Sequence, residues 1–240
     1  MSRTLVAVAA ILVLAAATGL AQSTPPAAAL PQATTARLDS LKPLIDRLQR
    51  LVQSDDVDGA FDTSEKVRTA IANIYFSLHS PSKNLELIEN VLMAHPEFRS
   101  SRIGVLAMFA ATAGDFGKAR SYAIEALSNT GKGQNGEPQN TYYGNYVLGL
   151  VALNAGDVTA AKQYLLASTK TGGWATLSYI GPNVSLAKAL LVRGEREVVV
   201  EYLEKCKTLW PKGGKTIDLW LAVIRAGATP DFGPHLVVPP

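Results

Sequence analysis

The sequence predicts an all-α fold, and three observations support this prediction. Hydrophobic residues make up 48% of the 240-residue chain and aromatic residues only 7%, so the apolar content is mainly Ala, Leu and Val, which suit closely packed helices. From residue 64 onwards, apolar side chains recur at the spacing of one helix face, without sustained alternation of period two. Short breaks containing Gly, Pro or Asn separate these segments. We expect helices over residues 37–53, 64–78, 83–95, 100–113, 116–128, 140–154, 158–171, 182–193, 196–209 and 215–226.

The N-terminal segment predicts export. In residues 1–21, Arg3 precedes an apolar run that starts at Leu5, and the small residues Gly19 and Ala21 lie where a signal peptidase cleaves. We therefore expect a cleaved signal peptide and a periplasmic or extracellular bacterial protein. The alternative is an uncleaved membrane anchor, for which an apolar run of about 17 residues is at the short limit.

A pattern of glycine, acid and small residue recurs three times. Gly114, Gly156 and Gly194 each follow a predicted helix and precede an acidic residue, with separations of 42 and 38 residues. Glycine suits a left-handed helix cap, and the acid can accept hydrogen bonds from free N–H groups of the next helix. Four positions beyond the acid comes a small apolar residue, and three further a tyrosine, in the pairs Ala119 and Tyr122, Ala161 and Tyr164, and Val199 and Tyr202. The small residue would let two antiparallel helices approach closely, so the spacing predicts repeated helix pairs.

These residues resemble the tetratricopeptide repeat, a 34-residue helix-turn-helix unit. The unit at 142–175 matches best, with Leu148-Gly149, Ala161, Leu165 and Ser168 at the family's characteristic positions. Further units lie around 65–97, 100–133 and 180–212, although the signature Trp of the first helix is absent from all of them. The resemblance implies a right-handed helical-hairpin (TPR-like) solenoid.

The predicted organisation follows from these segments. Residues 22–36 carry no charge and are rich in Pro, Ala and Thr, which is typical of a flexible tether. The expected order is a signal peptide at 1–21, the tether at 22–36, an N-terminal helix and loop at 37–63, four TPR-like helix pairs at 64–212, and a capping helix with a tail at 213–240.

The sequence shows no pattern that predicts catalysis, a cofactor or a metal. The three histidines do not form a paired metal-ligating motif, and the Gly-Gly-Lys-Thr at 213–216 lacks the earlier glycine and the preceding strand of a phosphate loop. The net charge of +3 is spread along the chain without a run of Lys or Arg, so nucleic acid is not an expected partner. Cys206 is expected to be a small buried core residue, and Trp174, Trp210 and Trp220 are expected in core positions near helix ends.

The expected function is therefore non-catalytic: a protein–protein interaction scaffold or adaptor of the bacterial envelope. The resemblance implies that the first helices of successive pairs line a concave face that holds a partner peptide or helix. The positions carried over from the family are Lys66, Thr69, Asn73, Phe76, Met108, Tyr143, Tyr146, Leu150, Asn154 and Lys188. The predicted partner-binding residues among them are Lys66, Asn73, Tyr143, Tyr146, Asn154 and Lys188.

Two alternatives stay open. The tyrosines of Tyr142–Tyr146 offer contact area and hydrogen bonds to a partner, but one or two of them can equally pack between helices. The chain can also be a structural subunit of a homo-oligomer or envelope complex, without a peptide groove in use.

Overall fold

The computed structural model of the protein describes residues 41–54, 56, 59, 63, 66–67, 80–131, 137–173, 177–178 and 181–236. The chain divides into two compact units, Met1–Ser80 and Pro81–Pro240. In the first unit, helix α1 spans Lys42–Gln53, which agrees with the predicted N-terminal helix. The predicted signal peptide, the tether and most of the predicted helix at 64–78 lie outside the described residues.

The second unit is built from eight α-helices in the part that the structure describes, with no strand there, so the all-α prediction is confirmed. The helices are α2 Pro81–Ala94, α3 Arg99–Thr112, α4 Phe116–Ser128, α5 Glu137–Asn154, α6 Val158–Ser168, α7 Ser185–Val192, α8 Arg196–Leu209 and α9 Gly214–Arg225. Short 3-10 turns follow at Pro96–Phe98, Pro211–Gly213 and Gly233–His235. Among the described segments, none forms a helix of the length and hydropathy needed to cross a bilayer.

Most helix ends agree with the predicted ends to within a few residues. Two starts differ by three residues: α5 begins at Glu137 instead of residue 140, and α7 begins at Ser185 instead of residue 182. Residues 181–184 are not helical, because Gly181 takes a positive φ of 89° and the segment bonds to tyrosines of other helices. Helix α6 ends at Ser168 instead of the predicted residue 171.

The helices pack as successive neighbours, and next-but-one neighbours also touch. α3 contacts α4 and α5, α5 contacts α6 and α7, and α6 contacts α8. One hydrophobic core runs through the whole unit, with residues contributed from α2 to α9 and by Phe232 after α9. The arrangement is compatible with a helical-repeat architecture, in which each pair completes the core of the next.

The three predicted glycine turns have one shared geometry. Gly114, Gly156 and Gly194 have φ of 77°, 82° and 84°, values that favour glycine. In the first turn the N–H of Gly114 donates to the carbonyl of Ala111 and the next N–H donates to the carbonyl of Ala110, and the other two turns repeat this pattern. A fourth copy, at Gly227 with φ of 92°, ends α9 and was not predicted, since no acid follows it.

The acidic residues after these glycines divide into two groups. The carboxylates of Asp115 and Asp157 cap α4 and α6 by accepting from the backbone N–H three residues on, at 2.9 Å. Glu195 was expected to do the same for α8, and this was wrong, because its side chain makes no cap bond there. Its longer side chain instead accepts from Lys162 Nζ on α6 at 2.8 Å.

The three small residues lie in the core, which suits the close helix contacts predicted for them. Ala119, Ala161 and Val199 are fully buried. A Cβ added at Gly149 would meet Leu186 of α7, and would lie 3.4 Å from Tyr164 Cβ of α6. The Leu148-Gly149 pair therefore lies where α5 is crowded from two sides.

A buried asparagine joins α3 to α5. Asn140 is 1% exposed, and its Oδ1 accepts from the N–H of Gly104 at 3.1 Å while its Nδ2 donates to the carbonyl of Ser100 at 2.7 Å. These two backbone groups are four residues apart on α3, so the amide of Asn140 spans one turn of that helix. Gly104 permits the approach, since a Cβ there would lie about 3.0 Å from Asn140 Oδ1.

Candidate functional site

The tyrosines predicted to contact a partner belong instead to a buried hydrogen-bond network. We call Tyr142, Tyr146, Tyr202 and Asn183 the tyrosine network; the three tyrosines are at most 1% exposed and Asn183 is 9% exposed. The rings of Tyr142 and Tyr146 stack with their centroids 5.9 Å apart. Tyr202 comes from α8, so the network ties α5, α8 and the segment before α7 together.

Each hydroxyl in the tyrosine network is bonded to protein. Tyr146 Oη donates to Asn183 Oδ1 at 2.8 Å and accepts from the N–H of Leu186 at 2.9 Å. Tyr142 Oη accepts from the N–H of Asn183 at 3.1 Å and lies 3.2 Å from Tyr202 Oη, which donates to the carbonyl of Asn183. Burial raises the pKa of all three phenols, so all three stay neutral.

The network also supplies the N-terminal caps of α7. The N–H of Ser185 donates to Asn183 Oδ1 at 2.9 Å, and the N–H of Leu186 donates to Tyr146 Oη. The N–H of Val184 donates to the carbonyl of His235 at 2.9 Å. These N–H groups have no partner within a helix, and burying them unpaired would be costly. Tyr146 is therefore a core residue, and its predicted role in partner contact is corrected.

Of the other predicted partner-binding residues, the three that the structure describes in the second unit do not form one open face. Tyr143 is half-buried against the core, Lys188 is half-buried, and Asn154 is exposed only at the last position of α5. Burial raises the pKa of the Tyr143 phenol to about 12. Lys66 is exposed in the first unit, and Asn73 lies outside the described residues.

The four other positions predicted for the concave face do not provide an exposed surface in the described residues either. Met108 is 7% exposed and Leu150 is half-buried, while Thr69 and Phe76 lie outside the described residues. Before Asn154, α5 has no exposed side chain. Most side chains of α3, α5 and α7 are therefore buried or half-buried, and of the predicted concave-face positions described in the second unit only Asn154 is exposed.

A groove between two second helices is open instead. It consists of two adjoining concavities of about 400 and 350 Å³ between α6 and α8; we call it the α6–α8 groove. Gln163, Leu166 and Glu201 line both concavities, so the two are continuous. From Thr159 to Lys170 it extends about 16 Å along α6 at the usual helical rise.

The α6–α8 groove has an apolar floor and ends of opposite charge. Leu166, Ala167 and Val198 provide the apolar surface. At one end lie Glu195 and Glu197, the former paired with Lys162 at 2.8 Å. At the other end lie Lys170 and Lys205, the latter paired with Glu201 at 3.4 Å. Within the described residues, Glu197 and Lys170 have no ion-pair partner.

The chemistry-bearing side chains elsewhere have structural surroundings. Burial raises the pKa of the Cys206 thiol to about 12, and Cys206 is fully buried as predicted. The His235 ring lies 4.8 Å from the Trp210 ring and 5.1 Å from the Trp220 ring, and burial lowers its pKa. Both tryptophans are core residues as expected; Trp174 lies outside the described residues. Over the described residues, no group of three or more His, Cys, Asp or Glu side chains is placed to hold a metal.

Sequence reasoning missed Asn183, Asn140 and the α6–α8 groove. Asn183 is the first residue of an Asn-Val-Ser tripeptide, but nothing in the sequence relates it to tyrosines about 40 residues earlier. The groove depends on how α6 and α8 lie side by side, which periodicity does not specify. Comparisons with protein-family models, with curated proteins and with solved structures give no match to this chain.

Proposed function

We propose that this protein is a non-catalytic interaction scaffold that binds a segment of a partner protein in the α6–α8 groove. The helix pairs would form a right-handed TPR-like solenoid, supported by the shared glycine turns, the small residues at helix contacts and the contacts between next-but-one helices. With the exported N-terminal segment expected from the sequence, the partner would be a protein of the bacterial envelope or of the surroundings.

The observation that carries this proposal is the α6–α8 groove itself. Its length of about 16 Å matches three turns of a helix, its floor offers apolar contact, and its ends carry opposite charges. A partner helix with an apolar stripe, a basic residue near Glu197 and an acidic residue near Lys170 would be complementary to it. Rim charges of this kind set orientation and association rate more than affinity.

The test is a comparison of partners captured from an envelope extract of the native host. The groove variant is the full chain with Gln163→Arg and Glu201→Arg, which changes the charge by +3 at the two exposed residues that line both concavities. The matched control carries Ser121→Arg and Glu86→Arg, which make the same charge change on exposed residues of α4 and α2. Ser121 follows Gly114 by seven residues, as Gln163 follows Gly156.

A partner held by the native chain and the control, and lost from the groove variant, is the expected result. A third variant, Asn154→Ala with Lys188→Ala, tests the first-helix face that the sequence predicted. Loss of the partner from this variant alone would show that the partner binds at Asn154 and Lys188 and not in the α6–α8 groove. If all three variants hold the same proteins as the native chain, the proposed function is wrong.

A further inference from the structure

Helix α9 has two apolar faces, and only one of them is buried. The inner face packs into the core through Ile217, Trp220, Leu221 and Ile224. The outer face carries Leu219 at 69% exposure and Val223 at 36%, together with the exposed Ala222 and Ala226. We call these four residues the α9 stripe. Their spacing of three, four and seven positions places them on one side of the helix.

The position of the α9 stripe makes its exposure informative. α9 is the last α-helix of the described chain, and the terminal helix of a stacked array normally has a polar outer face that keeps it soluble. The charged residues Asp218 and Arg225 do not shield the stripe, because they are paired with Lys207 and Glu204 of α8 at 2.8 Å. An apolar stripe at such an end indicates a surface that another helix covers.

The stripe is complementary to itself in an antiparallel arrangement. With a two-fold axis between Ala222 and Val223, Leu219 lies opposite Ala226 of a second copy, and Ala222 lies opposite its Val223. Every contact then joins a large side chain with a small one, which is the condition for close helix packing. A parallel pairing would place Leu219 against Leu219 and Ala222 against Ala222. The two large side chains would then hold the helices apart and leave a void between the two small ones.

Charge favours the same arrangement. Lys215 is exposed, lies seven residues before Ala222 on the same side of α9, and has no ion-pair partner among the described residues. In the antiparallel register it reaches beyond the C-terminal end of the second copy's α9. That end carries the negative pole of the helix dipole, which favours a nearby cation, and the charge of Arg225 in its last turn is already paired with Glu204 of α8. The interaction occurs twice because of the two-fold symmetry.

We propose that the α9 stripe binds the α9 stripe of a second copy of this chain, antiparallel and about a two-fold axis. A contact of one 12-residue helix, about 18 Å long, buries less than the roughly 1,200 Å² of a stable interface. The dimer is therefore weak and depends on protein concentration. This inference does not depend on the α6–α8 groove, which lies on other helices, and each can fail without the other.

The first experiment measures association by sedimentation of the full-length chain over a range of concentrations. The native chain and Met93→Glu are expected to form dimers as concentration rises, whereas Leu219→Glu is expected to stay monomeric. Met93 is a matched control, because it is 68% exposed on α2 and lies outside the stripe. A native chain that is monomeric throughout, or a Leu219→Glu variant that associates like the native chain, overturns the proposal. Stripe-dependent capture of a different protein, without self-association, overturns it as well.

The second experiment tests the register by cross-linking two single-cysteine substitutions under mild oxidation. In the antiparallel register the two copies of residue 222 are offset by about 1.5 Å along the helix, and those of residue 226 by about 10 Å. A disulfide requires Cα atoms within about 7 Å. Ala222→Cys is therefore expected to form a covalent dimer and Ala226→Cys is not; equal cross-linking of both overturns the register. Native Cys206 is buried and does not interfere.

Discussion

Replacing Tyr146 by Phe should destabilise the protein by about 2–3 kcal/mol. The ring fits its site unchanged, but the hydroxyl that donates to Asn183 Oδ1 and accepts from the N–H of Leu186 is removed. A hydrogen bond contributes about 1 kcal/mol net, and a buried N–H left without an acceptor costs about 1–3 kcal/mol. Asn183 Oδ1 keeps one donor, the N–H of Ser185, so the main loss is at Leu186.

Urea unfolding is a suitable assay for this change. With a slope of about 2.5 kcal/mol per molar urea, a loss of 2.5 kcal/mol lowers the midpoint by about 1 M. The slope itself should not change, because the fold and its buried surface are retained. Tyr164→Phe is the matched control: Tyr164 is half-buried, and its hydroxyl has no hydrogen-bond partner in the described part of the chain. The control should shift stability by less than about 0.5 kcal/mol.

Equal urea midpoints for Tyr146→Phe and Tyr164→Phe would contradict the buried hydrogen bonds of the Tyr146 hydroxyl. That result would mean that the Tyr146 hydroxyl reaches water, and the surface role predicted for it from the sequence would then be restored. A changed slope would point to a loss of packing rather than of two hydrogen bonds.

Three further predictions concern the described helices. Gly149→Ala should lower the free energy of unfolding by about 1–3 kcal/mol, because its Cβ would meet the fully buried Leu186. Gly117→Ala, on the exposed side of α4, should raise it by about 0.5 kcal/mol, so the urea midpoint should fall for the first variant and rise for the second. Asn140→Asp should destabilise the protein more at pH 7 than at pH 4, because an ionised carboxylate would face the carbonyl of Ser100 while a protonated one can donate to it. An equal loss of stability at both pH values would contradict the hydrogen bond from Asn140 Nδ2 to that carbonyl. Stability should fall as pH rises above 10, because the tyrosine network has raised pKa values when folded and only the unfolded chain releases those protons; ultraviolet titration should show these tyrosines ionising together with unfolding.

The helices and their turns could be predicted because they depend on local sequence. A glycine cap needs only the residues of its own turn, so Gly114, Gly156 and Gly194 were identified without knowledge of tertiary contacts. Glu195 shows the limit of this approach. It occupies the same position as Asp115, but its longer side chain reaches Lys162 on another helix, and that choice depends on packing.

The tyrosine network could not be predicted, because it depends on which helix faces are covered by other helices. Periodicity predicted α5 as a helix but assigned Tyr146 to a partner-facing side, because a Tyr on a helix face is equally suited to a partner surface and to a buried network. The deciding residue was Asn183, whose backbone and side chain together satisfy Tyr142 and Tyr146 across about 40 positions of sequence. No local sequence pattern indicates a contact over such a distance along the chain.

Buried hydrogen bonds connect α3, α5 and α7, whereas more exposed side chains line the α6–α8 groove. Asn140 fixes α5 against α3, and Tyr146 fixes α7 against α5, so successive first helices are held in register by buried hydrogen bonds. A change at these positions would leave donors or acceptors unpaired in the core, which restricts how far they can vary. The α6–α8 groove has no such constraint, because its charged residues are at least partly exposed and surface ion pairs contribute little to stability. The proposed partner-binding surface can therefore vary in sequence while the buried hydrogen bonds of α3, α5 and α7 preserve the fold.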